Sequence, residues 1–401
     1  MSLSSTEQAA LAGIDSALML RQVEEWSGIN SGSRHLAGLA RMADALMAAF
    51  APLGAVRLVE PAPASQMQAD GRITPLLHGR NLHLCVRPDA RWRVLLTGHY
   101  DTVFGADHEF QALRWLSPGV LNGPGVADMK GGIAVMLAAL QALEASPFAA
   151  RLGYEVVLNA DEEISSPGST PLLLECAARV SAGLTFEPAL PDGTLAGARP
   201  GSGNFSIHIA GRAAHAGREP EQGRNAIIAA ADLALRLAAL VAADLKVNIA
   251  KIDGGGPNNI VPDNAVLRVN MRPATAAAAA TALAALDAGI AAVAAAHDVQ
   301  IHRHGQFARP PKPLDAQQLR LLHLVQQAGA DLDLPIGWRA AGGVCDGNNL
   351  AATGLAVVDT MGVRGGAIHS ADEYLIIQSL GERAALAALT LMRIAERGFV
   401  R

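Results

Sequence analysis

Cysteine is scarce in this chain. The 401 residues hold three, Cys85, Cys176 and Cys345, widely spaced and with no Cys-x-x-Cys pair. That excludes a disulfide framework and a thiolate zinc knot. Charge is also sparse and nearly balanced: Asp, Glu, Lys and Arg make up 17% and the net charge is −5. Neither a nucleic acid nor a membrane surface is therefore expected as a partner. The first residues, Met1-Ser2-Leu3-Ser4-Ser5-Thr6-Glu7, lack the basic start and apolar core of a secretory signal, so the expectation is a cytoplasmic protein. The longest apolar stretch, Ala274 to Ala296, consists of small residues interrupted by Asp287 and reads as a strong helix former rather than a membrane span. What remains is apolar bulk. Hydrophobic residues make up 50% at a mean hydropathy of +0.23, over a length that accommodates two domains, as in a well-buried globular enzyme.

Residues from about Ser5 to Leu53 read as helical with a break at Ser27–Ser33, followed by strands at Val56–Val59, Asn81–Val86 and Arg93–Thr97. A Gly-rich turn, Gly123–Gly132, opens a helix to about Leu143; an apolar strand, Tyr154–Ala160, then runs into Asp161-Glu162-Glu163. A helix near Thr170–Ala178 and a strand Ala182–Phe186 end at Glu187-Pro188. Alternation of this kind is the signature of a mostly parallel α/β layer. After about Gly201 the pattern changes to β-α-β-β-α-β, with helices at Asn225–Ala243 and Ala274–His297, the order of a ferredoxin-like module. We divide the chain into a catalytic layer at 1–201 and 309–401 and an inserted α+β domain at 202–308. Helices from about Asp315 to Gly329 and Ile376 to Glu396 complete the layer.

Five segments place imidazole or carboxylate groups at element ends: His99 with Asp101, Asp128, Glu162 with Glu163, Glu187, and His369. Each has a plain structural explanation. His99 and Asp101 could form a hydrogen-bonded turn, Asp128 could cap the following helix, the paired glutamates could be solvated, Glu187 could shape a turn before Pro188, and His369 could begin an exposed helix. Their joint placement is harder to explain separately. If the strands are neighbours in one parallel sheet, all five converge on one edge. Two imidazoles and three carboxylates without thiolate suit zinc, cobalt or manganese, and five ligands suit two ions if one carboxylate bridges. Adjacent acids such as Glu162 and Glu163 diverge, so one can hold metal while the other moves protons.

His99-x-Asp101, Gly125-Val126-Ala127-Asp128-Met129-Lys130-Gly131-Gly132, Asp161-Glu162-Glu163, Phe186-Glu187-Pro188 and His369-Ser370 stand in an order and spacing that resembles the M20 metallopeptidases, nearest to their carboxypeptidase G2-like glutamate carboxypeptidases. The resemblance implies a zinc-peptidase-like fold with a lid and dimerisation domain. It also implies two zinc ions on His99, Asp128, Glu163, Glu187 and His369, with Asp128 bridging. Asp101 would orient His99, and Glu162 would be the general base for a metal-bridging water. A cis peptide at Asp128–Met129 is implied too. Gly211–Gly217 resembles the lid motif whose imidazole, here His215, stabilises the oxyanion, often across the dimer. Asn259, Arg272, Arg309 and Gly343, the last in a glycine-rich loop, match substrate-contacting positions, and Cys345 in that loop reads as a packed residue. The implied substrate is a small peptide or N-acyl amino acid with a free carboxylate, cleaved by a glutamate-releasing carboxypeptidase or by an N-acyl deacylase. A catalytically silent dimeric binding protein is the reading from another class.

Overall fold

Runs of apolar, partly β-branched residues pair as strands, and those at the centre of the main sheet are buried on both faces. The computed structural model describes residues 3–400. Ten strands build the two main sheets, the first five being β1 (Val56–Val59), β2 (Asn81–Val86), β3 (Trp92–His99), β4 (Leu152–Asn159) and β5 (Ala182–Thr185). Four more follow, β6 (Ser202–Ala210), β7 (Leu245–Gly254), β8 (Asn264–Pro273) and β9 (Gln300–Arg309), and then β10 (Ala356–Val358). The central sheet has the order β1-β2-β4-β3-β5-β10, and β6 to β9 form a separate sheet ordered β7-β8-β6-β9. Pairs β4–β3, β3–β5 and β5–β10 are parallel, whereas β1–β2 and β2–β4 are antiparallel. The fold is a mixed α/β layer with a mostly parallel centre.

All eight residues of β4 are buried, as are Val94 to His99 of β3. Strands covered on both faces by helices have no solvent side to alternate with, hence their continuous apolar runs. Helix α1 (Gly131–Glu144) packs against α6 (Ser379–Arg397) over this sheet. Its fully buried Ile133, Leu137 and Leu140 each contribute about 1.5–3 kcal/mol by leaving water. Between them lie α2 (Thr170–Ala177), then α3 (Ala226–Ala238) and α4 (Ala276–His297) on the second sheet, and the short α5 (Asp346–Ala351). The second sheet has its own core, in which Phe205, Ile207 and Ile209 meet Leu233, Leu267 and Leu286. Among the described residues, three helical stretches are long and apolar enough to cross a bilayer by length and composition. One of them, Val126–Glu144, is 94% buried in the core.

Some boundaries differ from the sequence expectation. The helix expected at Asn225–Ala243 is shorter: Asn225 caps it, accepting from the N–H groups of Ile227 and Ile228, and it ends at Ala238. Beyond that point Val241 is 58% exposed, so no apolar anchor extends the helix. A hairpin, Ala64–Met67 with Ile73–Leu76, was not expected. Pro63 and Pro75 disguise it, and it is held by the second sheet, where Arg268 donates to the Met67 carbonyl at 3.0 Å.

Candidate metal centre

Three parallel neighbours deliver the reactive groups at their C-terminal ends. β3 ends at His99, β4 leads through Asp161 into Glu162 and Glu163, and β5 leads through Phe186 into Glu187. The registers His99↔Asn159 and Thr97↔Thr185 set these ends side by side. Open α/β sheets bind ligands at this edge. The fourth group, Asp128, sits in the turn before α1, where the Asp128–Met129 peptide is cis. Gly132, in the first turn of α1, lets the helix approach: a Cβ there would lie 2.0 Å from the Phe186 carbonyl oxygen. His369, at φ +63, comes from a turn and not from a helix start.

Asp128 is the centre of the cluster. Its Oδ1 lies 3.1 Å from His99 Nε2 and its Oδ2 lies 3.3 Å from His369 Nε2. Glu187 is 3.7 Å from His99 Nε2 and Glu163 is 3.2 Å from His369 Nε2. The donors therefore fall into two sets that share Asp128: His99, Asp128 and Glu187, and Asp128, Glu163 and His369. Burial pushes Glu187 upward, and burial together with Asp128 pushes Glu163 to about 7. Burial acts the same way on Asp128, yet the imidazoles of His369 and His99 hold it well below the usual carboxylate range. Burial opposes charge on His99, but Glu187, Asp101 and Asp128 raise it well above the ordinary histidine value. Hydrogen bonds to Asp128 and Glu163 raise His369 to about 11. Such a convergence of buried carboxylates needs cationic partners.

Asp101 has a broader task than orienting an imidazole. His99 Nδ1 lies 3.0 Å from the Asp101 backbone carbonyl and 3.4 Å from its carboxylate. The carboxylate accepts from Ser33 Oγ at 2.7 Å and from the N–H groups of Glu162 and Glu163 at 3.1 and 3.3 Å. It thereby pins the turn that carries both glutamates. A supporting residue that sequence reasoning missed is Glu373. Fully buried, it accepts from the backbone N–H groups of Gly125 (3.2 Å), Ala127 (3.0 Å) and Asp128 (3.0 Å). Burial and the charge of Asp128 push it to about 8 against those three bonds. The only sequence signal for it was a carboxylate four residues after His369.

A cavity of about 430 Å³ opens at the cluster, lined by Glu162, Glu163, Glu187 and His369 together with Arg199, Gly343 and Cys345. Cys345 is packed, and burial raises its thiol well above the ordinary range. Arg199 was not assigned a role from sequence. It is nearly buried, with Nε bonded to Asp359 at 2.7 Å and Nη1 to the Gly343 carbonyl at 3.0 Å. Arg272 Nη1 reaches the Gly342 carbonyl at 3.2 Å, at the same rim. His215 and Asn259 are neighbours on the second sheet's exposed loops and do not line this cavity. His215 Nδ1 accepts from Gly217 and Arg218 N–H at 3.1 Å each. Arg309, expected at a substrate carboxylate, has its guanidinium 1% exposed and already committed to Glu162 and Asp346, because the chain enters the layer beneath the Glu162 turn.

Two other features lie apart from this cluster. The larger cavity, about 1060 Å³ between the Ala64–Leu76 hairpin and the second sheet, contains none of these metal donors. His83, Glu155 and Cys176 cluster at ligand distance. However, Arg57 donates to His83 Nδ1 at 3.0 Å, leaving the proton on Nε2 toward Glu155, which Arg93 and Arg179 bracket. That group is already charge-compensated without an ion.

The model of the family described as Peptidase family M20/M25/M40 matches residues 95–393. Carboxypeptidase G2 of Pseudomonas sp. (strain RS-16) is 35% identical over 182 residues, covering 45% of this chain and 44% of that protein. Succinyl-diaminopimelate desuccinylase of Maricaulis maris (strain MCS10) is 32% identical over 204 residues, covering 44% of this chain and 50% of that one. The chain thus spans about half the length of these relatives. A tripeptidase structure from Staphylococcus aureus superposes with a TM-score of 0.71 at 21% identity, covering 96% of this chain and 100% of that one, a likeness of fold.

Proposed function

The chain belongs to peptidase family M20/M25/M40, and from that premise we propose that it is a two-metal hydrolase of an amide bond next to a free carboxylate, with glutamate-releasing carboxypeptidase activity. The observation that carries this reading is Asp128, whose two carboxylate oxygens face two imidazoles, each backed by a further glutamate. The donor set fits two divalent cations. When deprotonated, Asp128, Glu163 and Glu187 offer three negative charges and His99 and His369 two neutral nitrogens, a set suited to zinc, with cobalt or manganese as substitutes. When bound, the cations supply Lewis-acid activation of water and of the scissile carbonyl.

The chain's own groups do the rest. His99 Nδ1–H donates to the Asp101 carbonyl at 3.0 Å, which leaves Nε2 for the cluster. Glu162, beside the ligands and lining the cavity, accepts the proton of the attacking water and returns it to the departing nitrogen. Arg272, half-buried and bonded to the carbonyl of the cavity-lining Gly342, presents its guanidinium to a substrate carboxylate, while Arg199, held by Asp359 and the Gly343 carbonyl, shapes the cavity wall. His215 and Asn259 reach the site from a second subunit in a homodimer formed through the inserted domain, His215 holding the oxyanion. That their side chains lie away from the cavity of their own chain supports this arrangement.

A second reading, N-acyl amino acid deacylase, is favoured by the 32% identity to a desuccinylase. The deciding experiment compares acylated glutamates and glutamyl peptides with succinylated and acetylated amino acids, with zinc and cobalt supplied. Faster release of glutamate supports the first reading and faster deacylation the second. Protein that binds no divalent metal refutes both.

A further inference from the structure

Arg309 is the last residue of β9, at the point where the inserted domain returns to the catalytic layer, and it pairs across the crossing with Ser202. Its guanidinium is shared between two carboxylates. Nη2 donates to Glu162 Oε1 at 2.7 Å, to the Glu162 carbonyl at 3.2 Å and to Ser166 Oγ at 2.9 Å. Nη1 donates to Asp346. Asp346 is itself fixed, accepting from Ser166 Oγ at 2.6 Å and Asn159 Nδ2 at 2.7 Å. Two residues on, Asn348 Nδ2 donates to the carbonyls of both Pro200 (2.9 Å) and Pro310 (2.7 Å), gripping the two strands that cross between domains. Glu162 Oε2 has no hydrogen-bond partner among the described residues, and the side chain lines the cavity at the metal cluster.

We propose that Arg309 is a positioning residue, not a substrate anchor: it holds one oxygen of Glu162 and the carbonyl of its turn, and so ties the base's placement to the hinge of the inserted domain. The proposal rests on the reading of Glu162 as the base. The physical basis is that a buried, planar guanidinium fixed by a second carboxylate has little freedom to follow a substrate. Any rotation of the inserted domain about this crossing is transmitted to Glu162 through an atom contact of 2.7 Å. A base displaced by about 1 Å can lose roughly a hundredfold in rate while substrate binding is untouched.

The test measures kcat and KM of Arg309→Gln and Arg309→Lys on whichever acyl amino acid the wild type hydrolyses, together with metal content and melting temperature. Positioning predicts kcat lowered by at least about tenfold in Arg309→Gln, KM within about twofold, metal retained, and partial recovery in Arg309→Lys, whose single ammonium restores one of the contacts. KM raised about tenfold with kcat intact would make Arg309 a carboxylate anchor and overturn the proposal, as would unchanged kinetics. Should Arg309→Gln not fold, the pair Arg309→Gln with Asp346→Asn removes both charges together; its kcat must fall alone, and an unaltered kcat overturns the proposal. Wild-type turnover reports on the functional reading and the variant-to-wild-type ratio on Arg309, so the two fail separately.

Discussion

Glu373 offers the sharpest test of how the metal centre is held, because a single buried carboxylate meets three backbone N–H groups of the Gly125–Asp128 turn. Removing it in Glu373→Ala orphans all three. Each buried unsatisfied donor costs about 1–3 kcal/mol, and partial relaxation reduces the sum, so the expected loss is about 3–5 kcal/mol. Glu373→Gln is milder. Its amide oxygen replaces Oε1, which serves Ala127 and Asp128, while its NH₂ faces the Gly125 N–H that Oε2 served. One contact is lost instead of three, at about 1–3 kcal/mol. Because the turn carries the shared ligand, metal affinity should fall about 10- to 100-fold in the alanine variant. Urea unfolding of the metal-free protein gives the stabilities, and competition with a chelator gives the affinities. Equal damage by Gln and Ala, or wild-type metal affinity in both, would refute the idea that these three bonds set the Asp128 turn.

Glu162→Gln should keep its metal and lose nearly all turnover; undiminished hydrolysis would remove it as the base. Gly132→Ala places a Cβ 2.0 Å from the Phe186 carbonyl oxygen, so strain of about 1–3 kcal/mol and weaker metal binding through displaced Glu187 are expected. Gly119→Ala, where a Cβ meets nothing within 4 Å, is the control, and equal melting temperatures of the two would contradict the steric account. His215→Ala should slow turnover while lowering the melting temperature only slightly, since the side chain is exposed and the Gly217 and Arg218 N–H groups it caps can turn to water; full activity would exclude it from the reaction. For acid stability, burial raises Glu155, but His83 and Arg179 bind its charged form more strongly and hold it down from 4.5 to about 2. A depressed folded value means the stabilisation is complete above the unfolded pKa of 4.5 and is lost as pH falls toward 2. It amounts to about 3 kcal/mol for this fully buried group. Glu155→Gln should flatten the stability curve in that window, and an unchanged slope by urea titration would refute the assignment.

The convergence of the candidate donors was legible in the sequence because His99, Glu163 and Glu187 follow apolar runs closely, whereas Asp128 and His369 lie in turns. His99 comes one residue after Gly98, and Glu187 comes two after Thr185. A parallel strand ends where its buried run ends, so the sheet edge could be read before any pairing was known. The supporting groups were not legible. Ser33, Glu373 and Asp346 lie far along the chain from the groups they hold, at separations of 68, 245 and 37 residues in their respective bonds to Asp101, the Asp128 N–H and Arg309. No local pattern marks such partners, since their value lies wholly in burial. The Ala64–Leu76 hairpin was missed for the same reason: contacts with the second sheet hold it.

From residue pattern alone came the alternating layer, the expectation of an inserted module and the candidate donors that gather around Asp128, because periodicity and strand ends are local properties. Tertiary structure decided the division of labour around them. It showed Asp101 pinning a turn as well as facing an imidazole, Glu373 supporting Asp128, and Arg309 turned inward beneath Glu162. An arginine is equally able to meet a substrate or a neighbour. Which it meets depends on what the fold has packed around it, and here two carboxylates occupy its guanidinium.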